Sequence, residues 1–140
     1  MIRHDAGAPL LGDLLSWHDR LLFAGVPWSG KSTVAARVTD RLVVHTDDFI
    51  AAGWDEAPKA AAAEVVGVRR FVVEGVRALA TLREGVEVDA VVWLPVVLRE
   101  MSVTEERFAR GRQTNFDKWL AAGSVSGPMV YVIGDVTSWG

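Results

Sequence analysis

The stretch Gly25-Val26-Pro27-Trp28-Ser29-Gly30-Lys31-Ser32-Thr33 decides the fold of this chain. It has the spacing G-x-x-x-x-G-K-[ST], in which the glycines allow a tight turn whose backbone N–H groups point at one anion. An apolar run at residues 21–24 precedes it and is typical of a buried strand, and a helix-forming run at residues 32–40 follows it. A strand, a glycine-rich loop and a helix in this order predict a phosphate-binding loop that holds a nucleoside triphosphate.

Two side chains of this loop have predicted roles of their own. The ammonium group of Lys31 can reach the outer phosphates and stabilise the charge of a transition state, and the hydroxyl of Ser32 can ligate Mg²⁺. The predicted nucleotide-binding residues are Gly25, Pro27, Trp28, Ser29, Gly30, Lys31, Ser32 and Thr33.

The composition of the whole chain limits the classes of protein to consider. At 140 residues with half of them hydrophobic, the sequence predicts one globular domain, residues 1–140. Its apolar runs are too short to cross a bilayer, so we expect no membrane partner. The absence of cysteine and of a visible secretory signal favours a cytoplasmic location. The net charge of −3 provides no global attraction to nucleic acid.

Apolar runs of strand length alternate with helix-forming runs along the chain. The runs are mostly continuous rather than alternating in polarity, which is typical of a parallel sheet covered on both faces. The sequence therefore predicts an α/β chain with the three-layer P-loop NTPase fold and a five-stranded, mostly parallel sheet. The predicted strands are residues 21–24, 42–46, 71–73, 88–94 and 129–133.

Helices are predicted between these strands and ahead of the first one. Leucines at 10, 11, 14 and 15 have helical spacing, so residues 1–18 are interpreted as a helical N-terminal extension with a helix at 9–17. Gly111 is expected to end a helix that begins near Thr104. The other predicted helices are residues 32–40, 59–66, 77–83 and 116–122.

Carboxylates follow the second and third predicted strands, at the edge of the sheet where ligands bind. Asp47 and Asp48 stand directly after the second strand, and Glu74 ends the third. Transfer of a phosphoryl group to a hydroxyl needs a carboxylate that takes the proton of the acceptor, and a strand-end acid can hold Mg²⁺ through water. The alternatives are that the aspartates only turn the chain and that Glu74 is a solvated strand end.

Three arginines follow the fourth strand. Arg107 and Arg110 are three residues apart and share one helix face, and Arg112 lies close behind them. Guanidinium groups in this position can close over a triphosphate and neutralise transition-state charge. The alternative is a solvated helix face, which is the more common use of helical arginines.

Together these motifs resemble the P-loop kinases of the uridine kinase and nicotinamide riboside kinase group. The resemblance is carried by residues 25–33, Thr46-Asp47-Asp48-Phe49, Val73-Glu74-Gly75 and the later arginines. It implies that Asp47 is the general base and that Glu74 belongs to the magnesium and acceptor shell. It also implies that the arginines at 107–112 form a lid, with Arg107 and Arg110 acting in catalysis and Arg112 on the nucleotide. In related folds the adenine lies near the loop after the last strand, here residues 135–138.

The chain departs from that group in its length and in its tryptophans. Little chain remains between Phe49 and Arg70 to cover an acceptor, and Trp28 stands where a small residue is the rule. Trp28 and Trp54 are interpreted either as packing residues or as platforms on which a base stacks. An open site of this kind suits a base displayed by DNA. In compactness the chain is similar to phage kinases that phosphorylate hydroxymethyluracil within DNA.

The sequence thus favours an enzyme, an ATP- and Mg²⁺-dependent kinase. We expect it to transfer the γ-phosphate to a hydroxyl of a nucleoside-like acceptor, either free or as a hydroxymethylated pyrimidine within DNA. The predicted acceptor-binding residues are Asp47, Asp48, Phe49, Trp54 and Arg77. The alternatives are an NTP-binding hydrolase or switch without an acceptor, and a binding module that has lost catalysis.

Overall fold

Six parallel strands form one sheet in the part of the chain that the structure describes. The structure is a computed structural model, and it describes residues 2–4 as backbone and residues 11–27, 29–97, 99–123 and 127–134. The order across the sheet is β1-β6-β5-β2-β4-β3, and every neighbouring pair is parallel. The strands are β1 Ile2–His4, β2 Arg20–Gly25, β3 Leu42–His45, β4 Phe71–Glu74, β5 Ala90–Leu94 and β6 Met129–Val132.

All five predicted strands are present, and the sixth was not predicted. Strand β1 pairs with β6 at the edge of the sheet, in a segment that the sequence analysis interpreted as a helical extension. That interpretation is wrong for residues 2–4, because three residues are too few to display a periodicity. The predicted helix of this segment is found as α1, Leu11–Trp17; its first two predicted residues, 9 and 10, lie outside the described residues.

The strands bury both of their faces, as continuously apolar runs require. On β2, Leu21 and Phe23 join one apolar cluster and Leu22 and Ala24 join the other. The first cluster also contains residues of α1 and of α2, Lys31–Ala35. The second contains residues of α3, Glu56–Glu64, and α4, Val103–Ala122. Helices therefore cover both faces of a parallel sheet, which is consistent with a three-layer α/β fold.

Helix α4 corrects the prediction of two short helices separated at Gly111. It runs without interruption for 20 residues, and Gly111 lies inside it. The N-cap is Ser102 rather than Thr104: its hydroxyl accepts from the Glu105 N–H, and the Glu105 carboxylate accepts from the Ser102 N–H. This capping box and the burial of Phe116 outweigh the ~1 kcal/mol that a helical glycine costs.

The segments that follow β2, β3 and β4 are shorter or tighter than predicted. Helix α2 has five residues instead of nine, because the bonds Arg37 N–H to Val34 O and Val38 N–H to Ala35 O tighten its end. A first 3-10 helix, Thr46–Ala52, follows β3, and a second, Leu79–Glu84, replaces the helix predicted at 77–83. Helix α3 begins and ends two or three residues earlier than predicted.

Helix α4 is the longest helix of the described chain, and its sequence is rich in charged residues. None of the helices within the described ranges combines the length and apolar character that a membrane span needs.

Candidate functional site

The carboxyl edge of the sheet forms a crevice at the end of β2. This strand lies between β4 and β5, and the chain leaves it toward the α2 side of the sheet. After β4 and β5 the chain continues on the opposite side, with Ala78 and Ala109 in the other apolar cluster. Such a reversal of direction opens a crevice beyond the strand ends, where open parallel sheets bind ligands. The glycine-rich loop, residues 25–33, begins in this crevice because Gly25 is the last residue of β2.

The loop and one aspartate line a common hollow, which we call the loop depression. Its volume is about 450 Å³. Gly30 has a φ of 94°, in the left-handed region that favours glycine, and it directly precedes α2. The depression thus combines the backbone turn with side chains from two other strand ends. Its lining residues are Pro27, Ser29, Gly30, Lys31, Ser32, Thr33, Asp47 and Val76.

Lys31 is buried, and its ammonium group contacts its own loop. The Nζ donates to the Val26 carbonyl at 2.7 Å and to the Ser29 hydroxyl at 3.4 Å. Burial lowers the pKa of Lys31 to about 8, while the charges of Glu74 and Asp47 oppose this shift. A cation held out of water at an N–H-lined turn is a strong binding site for an anion, because a phosphate would replace the lost solvation.

Glu74 is the central carboxylate of the crevice and is almost fully buried. Its Oε1 accepts from the Ser32 hydroxyl at 3.4 Å and lies 2.5 Å from Nδ1 of His45. Its Oε2 is buried and has no partner among the described residues. A buried carboxylate oxygen without a partner is costly, so Glu74 retains binding capacity in the absence of ligand.

These residues fit a magnesium ion. A hydroxyl and an unpartnered carboxylate oxygen are hard oxygen ligands, and Mg²⁺ in nucleotide sites usually takes one or two protein ligands with phosphates and water. The described residues contain no cluster of three or more His, Cys, Asp or Glu that would form a metal cage of its own. Ser32 and Glu74 would therefore hold the ion together with a nucleotide.

The two aspartates after β3 are placed differently. Both residues are exposed, but Asp47 lines the loop depression and Asp48 is not among its lining residues. Gly75 explains why the first 3-10 helix comes so close to β4. Its φ of 135° is unfavourable for other residues, and a Cβ there would collide with the Thr46 hydroxyl. Phe49 is half-buried and packs against the apolar cluster that contains Leu22 and Ala24, and whether it also contacts an acceptor stays a prediction.

Trp54 and Arg77 are in contact, and Arg112 lies next to them. The Arg77 guanidinium lies 4.6 Å from the centre of the Trp54 ring, and its Nε donates to the Trp54 carbonyl at 3.1 Å. The Arg112 guanidinium lies 5.2 Å from the centre of the same ring, and the Phe108 ring packs edge to face against the Trp54 ring. Arg112 is not among the residues that line the loop depression. Its position thus differs from the one expected for a nucleotide-binding arginine.

Arg107 and Arg110 are exposed on α4, and only Arg110 borders a groove next to the glycine-rich loop. That groove also includes Val26, Pro95 and Met101. Whether these arginines close as a lid stays a prediction. Trp28 and the predicted adenine contact at residues 135–138 lie outside the described residues.

The sequence analysis assigned no role to His45 or Thr46. His45 ends β3 and is the register partner of Glu74 on β4. The signal was present in the chain, since both residues end neighbouring strands that precede the same crevice. Thr46 is buried, and its hydroxyl has no partner within the described structure.

No protein-family model matches the chain. No curated protein matches it either.

Proposed function

We propose that the protein is a Mg²⁺- and ATP-dependent phosphotransferase that moves the γ-phosphate to a hydroxyl of a nucleoside-like acceptor. One observation carries the proposal: the Asp47 carboxylate lines the same depression as Lys31 and Ser32 of the glycine-rich loop. A phosphate loop alone suits any nucleotide-binding protein. A carboxylate across the depression adds the proton acceptor that transfer to an alcohol requires.

The reaction assigns one task to each of these residues. The acceptor oxygen forms a bond to the γ-phosphorus, the bond to the β,γ-bridging oxygen breaks, and the hydroxyl proton passes to Asp47. Lys31 stabilises the negative charge on the phosphoryl oxygens. Ser32 and Glu74 hold Mg²⁺, which when bound neutralises the β- and γ-phosphates. His45, 2.5 Å from Glu74, fixes the orientation of that carboxylate.

The nature of the acceptor is supported by Trp54. The residue is 38% exposed although two arginines and Phe108 contact its ring, so it is accessible to a base. Stacking on such a ring contributes ~1–3 kcal/mol per base. The resemblance to nucleoside kinases points to the same class of acceptor, either free or as a hydroxymethylated pyrimidine within DNA.

The test is transfer of ³²P from γ-labelled ATP to a panel of nucleosides, nucleotides and oligonucleotides that contain a hydroxymethylated pyrimidine. We expect label on an acceptor, and we expect Asp47→Asn to abolish most of it while nucleotide affinity is retained. Release of labelled phosphate without any labelled acceptor, at equal rates in the wild type and Asp47→Asn, would overturn the proposal in favour of a hydrolase or switch.

A further inference from the structure

A second cavity, the arginine pocket, adjoins the loop depression. Its volume is about 290 Å³, and three of its lining residues are Arg77, Arg83 and Arg112. Val76 lines both this pocket and the loop depression, so the two hollows meet at the segment that follows β4. Trp119 contributes an aromatic part of the wall. An arginine-lined hollow next to a phosphotransfer site is unusual in a chain with a net charge of −3.

The positive charge of this pocket is poorly compensated. The described lining residues include no Asp or Glu. The nearest acid to Arg77 is Asp55, whose side chain is 92% exposed and lies 3.8 Å from the guanidinium. Burial lowers the pKa of Arg112, and the charge of Arg77 lowers it further. Burial also lowers the pKa of Arg77; the charge of Asp55 opposes this shift, and the weaker effect of Arg83 adds to it. Three like charges beside a solvent-exposed acid attract an anion.

Arg112 has capacity left for such an anion. Its Nε is buried without a hydrogen-bond partner in the described structure, while its guanidinium packs on the rings of Trp54 and Phe108. Planar guanidinium groups held in this way bind phosphate through paired hydrogen bonds at a small entropic cost. Arg77 is similarly fixed by its bond to the Trp54 carbonyl.

We propose that the arginine pocket binds a phosphate group of the acceptor, so that the substrate is a nucleotide and not a neutral nucleoside. This inference rests on the proposed phosphoryl transfer, because it assigns the pocket to the molecule that receives the γ-phosphate. Val76 would lie between the reacting hydroxyl, above Asp47, and the phosphate bound by Arg112. The bound group is either the phosphomonoester of a free nucleotide or a phosphodiester of a DNA strand.

The experiment compares the binding of three probes by calorimetry: 5-hydroxymethyl-2′-deoxyuridine, its 5′-monophosphate, and a trinucleotide with this base at its centre. The variants are Arg112→Gln and Arg83→Gln, with Arg69→Gln as the control. Arg69 is exposed and precedes β4, at the opposite edge of the sheet. All titrations are repeated in a Lys31→Met background, where the glycine-rich loop no longer offers its ammonium group to the phosphate of the probe.

We expect at least one phosphate-bearing probe to bind about tenfold or more tightly than the nucleoside, as charge-assisted hydrogen bonds imply. Arg112→Gln and Arg83→Gln should each reduce this preference severalfold, Arg69→Gln should not, and the preference should persist with Lys31→Met. Preference for the monophosphate identifies a free nucleotide, and preference for the trinucleotide that fades with added salt identifies a DNA strand.

Equal binding of all three probes, or a preference that both pocket variants retain, overturns the inference. Arg83 is exposed, so its variant tests the pocket even where Arg112→Gln fails to fold. Titration of Mg–ATP into the same proteins separates the two proposals. ATP binding without a phosphate preference refutes the arginine pocket alone, and a phosphate preference without ATP binding or transfer refutes the phosphotransferase alone.

Discussion

Replacing Lys31 by methionine should stabilise the ligand-free protein while it removes nucleotide binding. The side chain of Lys31 is buried, and its ammonium group has only the Val26 carbonyl and the Ser29 hydroxyl as partners. Methionine is similarly long and unbranched, so it can fill the same space without a charge. The substitution therefore tests whether this loop holds a desolvated cation for the benefit of a ligand.

The magnitude follows from the pKa of Lys31. Burial lowers it from 10.5 to about 8, and a difference of about 2.5 units corresponds to about 3 kcal/mol of lost stability at pH 7. The two hydrogen bonds lost in Lys31→Met offset ~1 kcal/mol of the gain. The net gain of about 2 kcal/mol should raise the melting temperature by about 6 °C in a domain of this size.

The stability gained by Lys31→Met should decrease as the pH rises. Since the folded pKa of Lys31 lies below its unfolded value, the penalty is fully present below pH 8. It disappears as the pH rises toward 10.5, because the native state then loses its proton before the unfolded state does. By about pH 10 less than ~1 kcal/mol of the penalty remains, which about equals the contribution of the two lost hydrogen bonds, so the two proteins should then be about equally stable.

The assay is thermal unfolding followed by circular dichroism at pH 7 and pH 10, with and without Mg–ATP. Lys118→Met is the matched control, because Lys118 is exposed on α4. Mg–ATP at a hundred times its dissociation constant should stabilise the wild type and the control by about 2.7 kcal/mol and Lys31→Met hardly at all. A Lys31→Met protein that is less stable at pH 7, or that keeps the wild-type response to pH, would refute the reasoning.

Three further predictions concern catalysis and the packing of the crevice. Asp47→Asn should lower kcat by roughly 10²–10⁴-fold and Asp48→Asn only slightly, with unchanged nucleotide affinity; equal, small losses in a transfer assay would make both residues turn formers. Gly75→Ala should destabilise the fold by ~2–4 kcal/mol in urea unfolding, because φ is positive at this position and the added Cβ would clash with the Thr46 hydroxyl. An unchanged urea midpoint would contradict this packing. Arg107→Ala or Arg110→Ala should reduce turnover more than nucleotide binding, and full activity of both variants would leave a solvated helix face.

The strands and their common edge could be predicted because each depends on local sequence. Continuously apolar runs mark buried parallel strands, and the acids that follow two of them, Asp47 and Glu74, lie at the crevice as expected. The extent of α4 could not be predicted in this way. Gly111 is an unfavourable residue in a helix, and the helix continues because the tertiary burial of Ala109 and Phe116 on either side of it adds to the stabilisation from the capping box at Ser102.

Which arginines lie together depends on the continuity of α4, so it could not be predicted from the sequence. With α4 continuous, Arg110 borders the groove beside Val26, whereas Arg112 lies with Arg77 at the Trp54 ring. Two residues along a helix correspond to about 200° of rotation, so these two side chains cannot serve one ligand from the same face. The sequence analysis assigned both arginines to one lid because a sequence shows the spacing of residues but not which side of a helix faces the site.

The two adjoining cavities restrict how an acceptor can be oriented. A hydroxyl that reacts at the loop depression must lie near Asp47, and an anion bound by Arg112 must lie beyond Val76 in the arginine pocket. One small molecule can satisfy both conditions only if its reactive hydroxyl and its anionic group stand on different ends of a common scaffold. A pyrimidine nucleotide that carries a hydroxymethyl group on its base has this form, since its phosphate and its hydroxyl are separated by the sugar and the ring. A neutral nucleoside satisfies only the first condition and brings no negative charge to the three arginines.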